Sequence, residues 1–180
     1  MTPPRCRAKL GTVRRAVLLI GVALGSLAGL ACESGQPSEA EREELGRVVR
    51  VFVERLAEAY GGMDPAPLAG VATPRLMERA RHDIDLLRAG GDRLEPRLKG
   101  LEILSLEVLR HTNAYVAVRE TWDTKRFDAF SGELVGHDPD SVLHTHIQLQ
   151  RIDQQWLVLY REVEETATGP RLVVATPPTP

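Results

Sequence analysis

The apolar residues of this chain change period once, at Gly90-Gly91, and that switch limits the folds open to it. Ahead of the glycine pair they recur every three or four positions, as on one face of a helix. Behind it they alternate, as on one face of a strand. Helices first and a run of strands after them imply an α+β fold, with N-terminal helices packed on one face of a curved antiparallel sheet of about four strands.

The local signals place these elements. Ser38 and Glu41 have the spacing of a capping box, in which each side chain accepts from the other's backbone N–H. Leu45, Val48, Val49, Phe52, Leu56 and Tyr60 then form one apolar stripe, which Gly61-Gly62 ends. Asp64-Pro65 starts a short helical turn, and Thr73-Pro74 starts a second helix whose stripe is Met77, Ala80, Ile84 and Leu87. Alternation predicts strands over 101–109, 114–122, 142–151 and 156–163. Residues 123–140, with Gly132, Gly136 and Pro139 as breakers, are expected to form a long loop, and Asp138-Pro139-Asp140-Ser141 a turn within it. A two-residue turn at Asp153-Gln154 would pair Arg151 with Trp156, Leu149 with Val158 and Ile147 with Tyr160.

The first 31 residues have the layout of an export signal. Arg5, Arg7, Lys9, Arg14 and Arg15 lead into an apolar run over 16–29, followed by small residues up to Cys32. The run is shorter than the roughly 20 apolar residues a transmembrane helix needs. Ala28-Gly29-Leu30-Ala31-Cys32 resembles the lipobox of bacterial lipoproteins, with Gly29 where the commonest form has leucine. That resemblance implies cleavage before Cys32 and lipidation of its thiol. The expected organisation is a signal peptide at 1–31, a lipidated cysteine and tether at 32–37, an α+β domain at 38–166 and a tail at 167–180, in which 171–175 can add an edge strand. The expected location is the bacterial cell envelope, with the chain held by lipid to a membrane outside the cytoplasm.

Charge and cysteine count exclude several functions. All 25 acidic residues lie after Cys32, but five of the 23 basic residues lie before it. The processed chain therefore keeps 18 basic residues against 25 acidic ones, a net charge of −7. Such a domain has no electrostatic reason to hold nucleic acid. Any hold on anionic lipid must come from acyl chains. Only Cys6 and Cys32 exist, so the domain has neither a disulfide nor a thiolate metal site. No phosphate-binding glycine loop or nucleophile-elbow motif is present.

A long amphipathic helix, a shorter one, and strands closing on a Leu-x-Arg-x-Asp-x-x-Trp-x-Val hairpin (Leu149 to Val158) resemble the nuclear-transport-factor-2-like superfamily. The resemblance is close to the SnoaL-like and plastid-division inner-membrane-type branches. The resemblance covers roughly residues 40–165 and implies a cone-like cavity between helices and sheet. Residues 63–73 are too short for the extra hairpin many members carry there, which points towards the non-catalytic branches.

Trp122, Ile147, Leu149, Trp156, Val158 and Tyr160 are the candidates to line a pocket for a small apolar ligand, against the plainer reading that they pack as core. His144 and His146 share one sheet face and, with Leu157 and Leu159, are candidates for an interaction surface. Two imidazoles two residues apart can ligate zinc only with a further ligand, and none is identifiable from sequence, so no metal or cofactor is expected. Glu120 beside Trp122 is the one candidate general base, although alternation does not say which face its strand buries. The expected function is non-catalytic binding of an envelope protein or a small apolar molecule. The alternatives are a cavity enzyme of isomerase or dehydratase type and a structural subunit forming a homodimer.

Overall fold

The structure is a computed structural model and describes residues 37–164. The expected signal peptide, Cys32 and the expected tail with its 171–175 edge strand lie outside the described residues.

Helix α1 spans Glu39–Gly62. Its capping box forms: the Ser38 hydroxyl accepts from the Glu41 N–H at 3.2 Å, and the Glu41 carboxylate accepts from the Ser38 N–H at 3.1 Å. Met63 closes the helix in a left-handed conformation, φ 55°. One turn of 3₁₀ helix, Ala66–Leu68, buries Leu68 beneath α1. Helix α2 spans Pro74–Ala89, with proline in its first turn and the Thr73 hydroxyl accepting from the Leu76 N–H. Strands β1 (Asp92–Leu109), β2 (Asn113–Asp128), β3 (Leu134–Ile152) and β4 (Gln155–Glu164) pair in chain order as an antiparallel meander. The expected α+β fold is therefore the observed one: two helices on one face of a curved, unclosed four-stranded sheet.

The core lies between the layers. Leu45, Val49, Phe52 and Val53 of α1 and Leu76 and Ala80 of α2 meet Val116, Val118, Ile147, Leu149, Trp156 and Val158 of the sheet. The stripe read from α1 omits Val53 and Ala59, and that of α2 omits Leu76, all of which are buried. Their extra burial comes from wrapping by the curved sheet, which a single-face pattern does not register. The chain ahead of α2 also closes part of the β4 edge. The Val158 N–H donates to the Val71 carbonyl and the Thr73 N–H to the Val158 carbonyl, both at 2.9 Å. This covers backbone groups that an open edge would offer to other strands.

Two expectations are corrected. Residues 123–140 are not a long loop: β2 continues to Asp128 and β3 begins at Leu134, so only a short turn remains. The Asp138-Pro139-Asp140-Ser141 segment lies within β3 and is not a turn. The breakers are absorbed where the register shifts, between Trp122 and Thr124 and between Arg126 and Phe127. Polar side chains there pair across strands, as Asp123 with His137 at 2.7 Å and Lys99 with Asp140. The same arm extends β1 back to Asp92, well ahead of the expected start at 101. Pro96 is tolerated because β1 is a sheet edge.

The second correction decides the interior. Arg151 pairs with Trp156 and Leu149 with Val158, but Gln148 pairs with Tyr160 and Ile147 with Arg161. Leu159 is an extra residue, a β-bulge that reverses the side-chain alternation beyond it. Tyr160 therefore leaves the inner face, and Arg161 enters it. Phe52 has no exposed surface and packs at the centre of the core. We expect Phe52→Ala to lower unfolding stability by about 3–5 kcal/mol in chemical denaturation, the cost of an unfilled cavity at such a site.

Candidate functional site

The inner face of β2 carries Ala114, Val116, Val118, Glu120 and Trp122, all buried. Glu120 is therefore an inward residue with no exposed surface. Its Oε2 accepts from the Trp122 indole N–H at 2.8 Å and from Arg161 Nη2 at 2.7 Å. Arg161 comes from β4, two strands away, and is itself only 18 % exposed. An unpaired carboxylate in such a place would cost several kcal/mol, and the guanidinium offsets that cost. Three buried polar atoms near this bridge have no hydrogen-bond partner: Glu120 Oε1, Arg161 Nε and Thr145 Oγ1. Register places Thr145 on the inner face of β3, between the strands that hold Glu120 and Arg161.

A second polar pair flanks the bridge. The Tyr60 hydroxyl of α1 donates to Asp83 Oδ2 of α2 at 3.1 Å. Burial first, and then the Asp83 charge, push the Tyr60 phenol up to about 12. Arg79 of α2 lies over the Tyr160 ring, 5.6 Å from its centroid.

The other candidates fall into two groups. Trp122, Ile147, Leu149, Trp156 and Val158 are all buried in the core, and the Arg151 guanidinium covers the Trp156 ring at 5.6 Å. Tyr160 does not join them, because the bulge turns it outward. His144 and His146 share the outer face of β3, while Leu157 and Leu159 are half-buried rather than exposed. Two open hollows lie on the surface, outside the core. The larger, about 520 Å³ and open to solvent, is on the outer face of the sheet against Tyr115, His146, Gln148, Tyr160 and Glu162. Gln148 Nε2 donates to the Tyr115 hydroxyl across it at 3.3 Å.

Sequence reasoning missed Arg161 and the Tyr60–Asp83 pair. Strict alternation from the Asp153-Gln154 turn sends Arg161 outward, and only the bulge brings it in. Tyr60 is legible as part of the α1 stripe, but its partner on α2 is not.

Comparison with known proteins agrees with this architecture. No family model and no curated protein sequence matches the chain. Among solved structures, it is similar to the intermembrane space region of the chloroplast protein ARC6, with TM-score 0.60 and 16% identity over 71% of this chain and 98% of that one. The fold is nuclear-transport-factor-2-like. Weaker likenesses are to Aln2 from a Streptomyces species (TM-score 0.41, 15% identity, 72% of this chain and 93% of that one) and to the association domain of C. elegans CaMKII (TM-score 0.43, 15% identity, 70% and 98%).

Two outcomes test the polar interior. Arg161→Met leaves Glu120 buried without its cation and should cost about 3–5 kcal/mol, read as a shift in the denaturation midpoint. Tyr60 keeps its proton longer when folded than when unfolded. Its contribution is therefore complete below about pH 10, the ordinary phenol value, and is lost as pH rises towards about 12. Denaturation curves across that window should show falling stability, with a shallower fall in Tyr60→Phe.

Proposed function

We propose that this chain is an envelope lipoprotein, tethered through Cys32 to a membrane outside the cytoplasm, whose domain binds another protein and does not catalyse a reaction. The observation that carries the reading is the closed interior. Glu120, the one candidate base, has no exposed surface and is held by Arg161 and Trp122. Trp122, Ile147, Leu149, Trp156 and Val158, five of the pocket candidates, are packed as core, and among the described residues Glu120 shows no surface to a substrate. The outer sheet face, by contrast, offers two exposed tyrosines, Tyr115 and Tyr160, around an open hollow. Tyrosine is among the residues enriched where proteins bind each other. Placement outside the cytosol is supported by the leader and lipobox-like segment, and by the likeness to the intermembrane space region of a chloroplast protein. Among the described residues no helix is long and apolar enough to cross a membrane.

One observation favours a second reading, a cavity enzyme of isomerase or dehydratase type. Glu120 Oε1 has no partner, as a base awaiting a substrate proton would. That reading requires the Arg161 bridge to open and admit a ligand.

Two measurements separate these readings. Cells expressing the chain with labelled palmitate should mark the native protein and not Cys32→Ala; label on both would remove the anchor. A photo-crosslinker at Tyr160 should capture a protein in native membranes, while one at Arg50 on the exposed side of α1 should not. Capture of a second copy alone would make the domain a homodimeric assembly subunit. No capture at Tyr160 would count against binding through this face.

A further inference from the structure

The outer face of β3 and β4 assembles a donor set that neither strand holds alone. His144 and His146 project from alternate positions of β3. Register sets Glu164 opposite His144 and Glu162 opposite His146. The Glu164 carboxylate lies between the two imidazoles. Its Oε1 is 2.6 Å from His146 Nε2, and its Oε2 is 3.9 Å from His144 Nδ1. The third ligand that the His-x-His spacing lacked in sequence is thus supplied by the neighbouring strand.

We propose that His144, His146 and Glu164 form a binding site for a first-row divalent cation of the zinc type. Two imidazole nitrogens and one carboxylate are a donor set that suits zinc and leaves a fourth position open. Calcium and magnesium, which prefer oxygen, are poorly served by it. As the side chains stand, no three donors among the described residues are gathered closely enough to hold an ion. For the two contacts to Glu164 the adjustment needed is small. Ligands about 2.0–2.1 Å from a tetrahedral ion lie roughly 3.3 Å from one another. The His146–Glu164 separation must open by well under about 1 Å and the His144–Glu164 separation must close by as little. The imidazoles of His144 and His146 are 37 % and 56 % exposed and Glu164 is 51 % exposed, so His146 and Glu164 in particular have room to rotate.

The surroundings favour a cation. Glu162 adds a second negative charge beside His146. Arg119, the cation opposite His144 on β2, is drawn away by Glu102 at 2.8 Å. His146 and Glu162 also border the open hollow on this face, so a ligand in the hollow can reach the ion's open position. The fold has little need of the cluster for its own stability, because exposed ion pairs contribute about 0–1 kcal/mol.

The test is a titration of the full, metal-stripped chain in detergent with zinc chloride, its thiols alkylated so that Cys6 and Cys32 cannot compete. We expect one equivalent bound, with affinity falling as pH is lowered and the imidazoles take up protons. Glu164→Gln should weaken binding about tenfold or more, and His144→Ala with His146→Ala should abolish it. Cobalt should give the visible d–d bands of a four-coordinate nitrogen and oxygen site, lost in the double variant. All three side chains are at the surface, so circular dichroism should not change. No zinc uptake by the native chain, or uptake unchanged in the double variant, would overturn the proposal.

Discussion

The structure depends on one charge pair reached across three strands. Glu120 has no contact with solvent, and a carboxylate so placed is tenable only with a cation against it. Arg161 supplies that cation at 2.7 Å, and the Trp122 indole adds a donor at 2.8 Å. The pair is possible because of one extra residue in β4. Leu159 has no partner in β3, and the alternation beyond it reverses. Without that bulge Arg161 would face solvent, Tyr160 would face the core, and Glu120 would be alone.

Buried ion pairs are weak evidence for stability, because desolvation consumes most of the attraction. This pair is more informative about space. It lies buried on the inner face of the sheet, and it occupies one carboxylate oxygen twice. The other oxygen, Glu120 Oε1, stays unpaired beside Thr145 and Arg161 Nε, so the interior is closed but not fully satisfied. That residue of unmet hydrogen bonding is what keeps an enzymatic reading in play. The packed aromatic and aliphatic surroundings are what favour binding on the outside.

Binding on the outside also suits the way the sheet is finished. The β4 edge is partly covered by Val71–Thr73, and the β2–β3 arm is stitched by cross-strand polar contacts such as Asp123–His137. The outer face is left with Tyr115, Gln148, Tyr160 and the His144–His146–Glu164 cluster. Its tyrosines and polar groups contrast with the inner face of the same strands, which is apolar apart from Glu120, Thr145 and Arg161.

Much of the fold was legible in the residues themselves. The Ser38–Glu41 box, the Thr73-Pro74 start, the stop at Gly90-Gly91 and the two-residue turn at Asp153-Gln154 each act within a few positions, so local physics determines them. Glu120 and Trp122 were legible as near neighbours for the same reason. What tertiary structure alone decided was which face each strand buries, and which distant residue meets which. The charged arm of β2 and β3 reads as loop because its strand character comes from cross-strand pairing rather than from apolar alternation. Arg161 meets Glu120, and Glu164 meets the two histidines, through register, a property of two strands together. One inserted residue shifts register without leaving a mark in the periodicity of either strand.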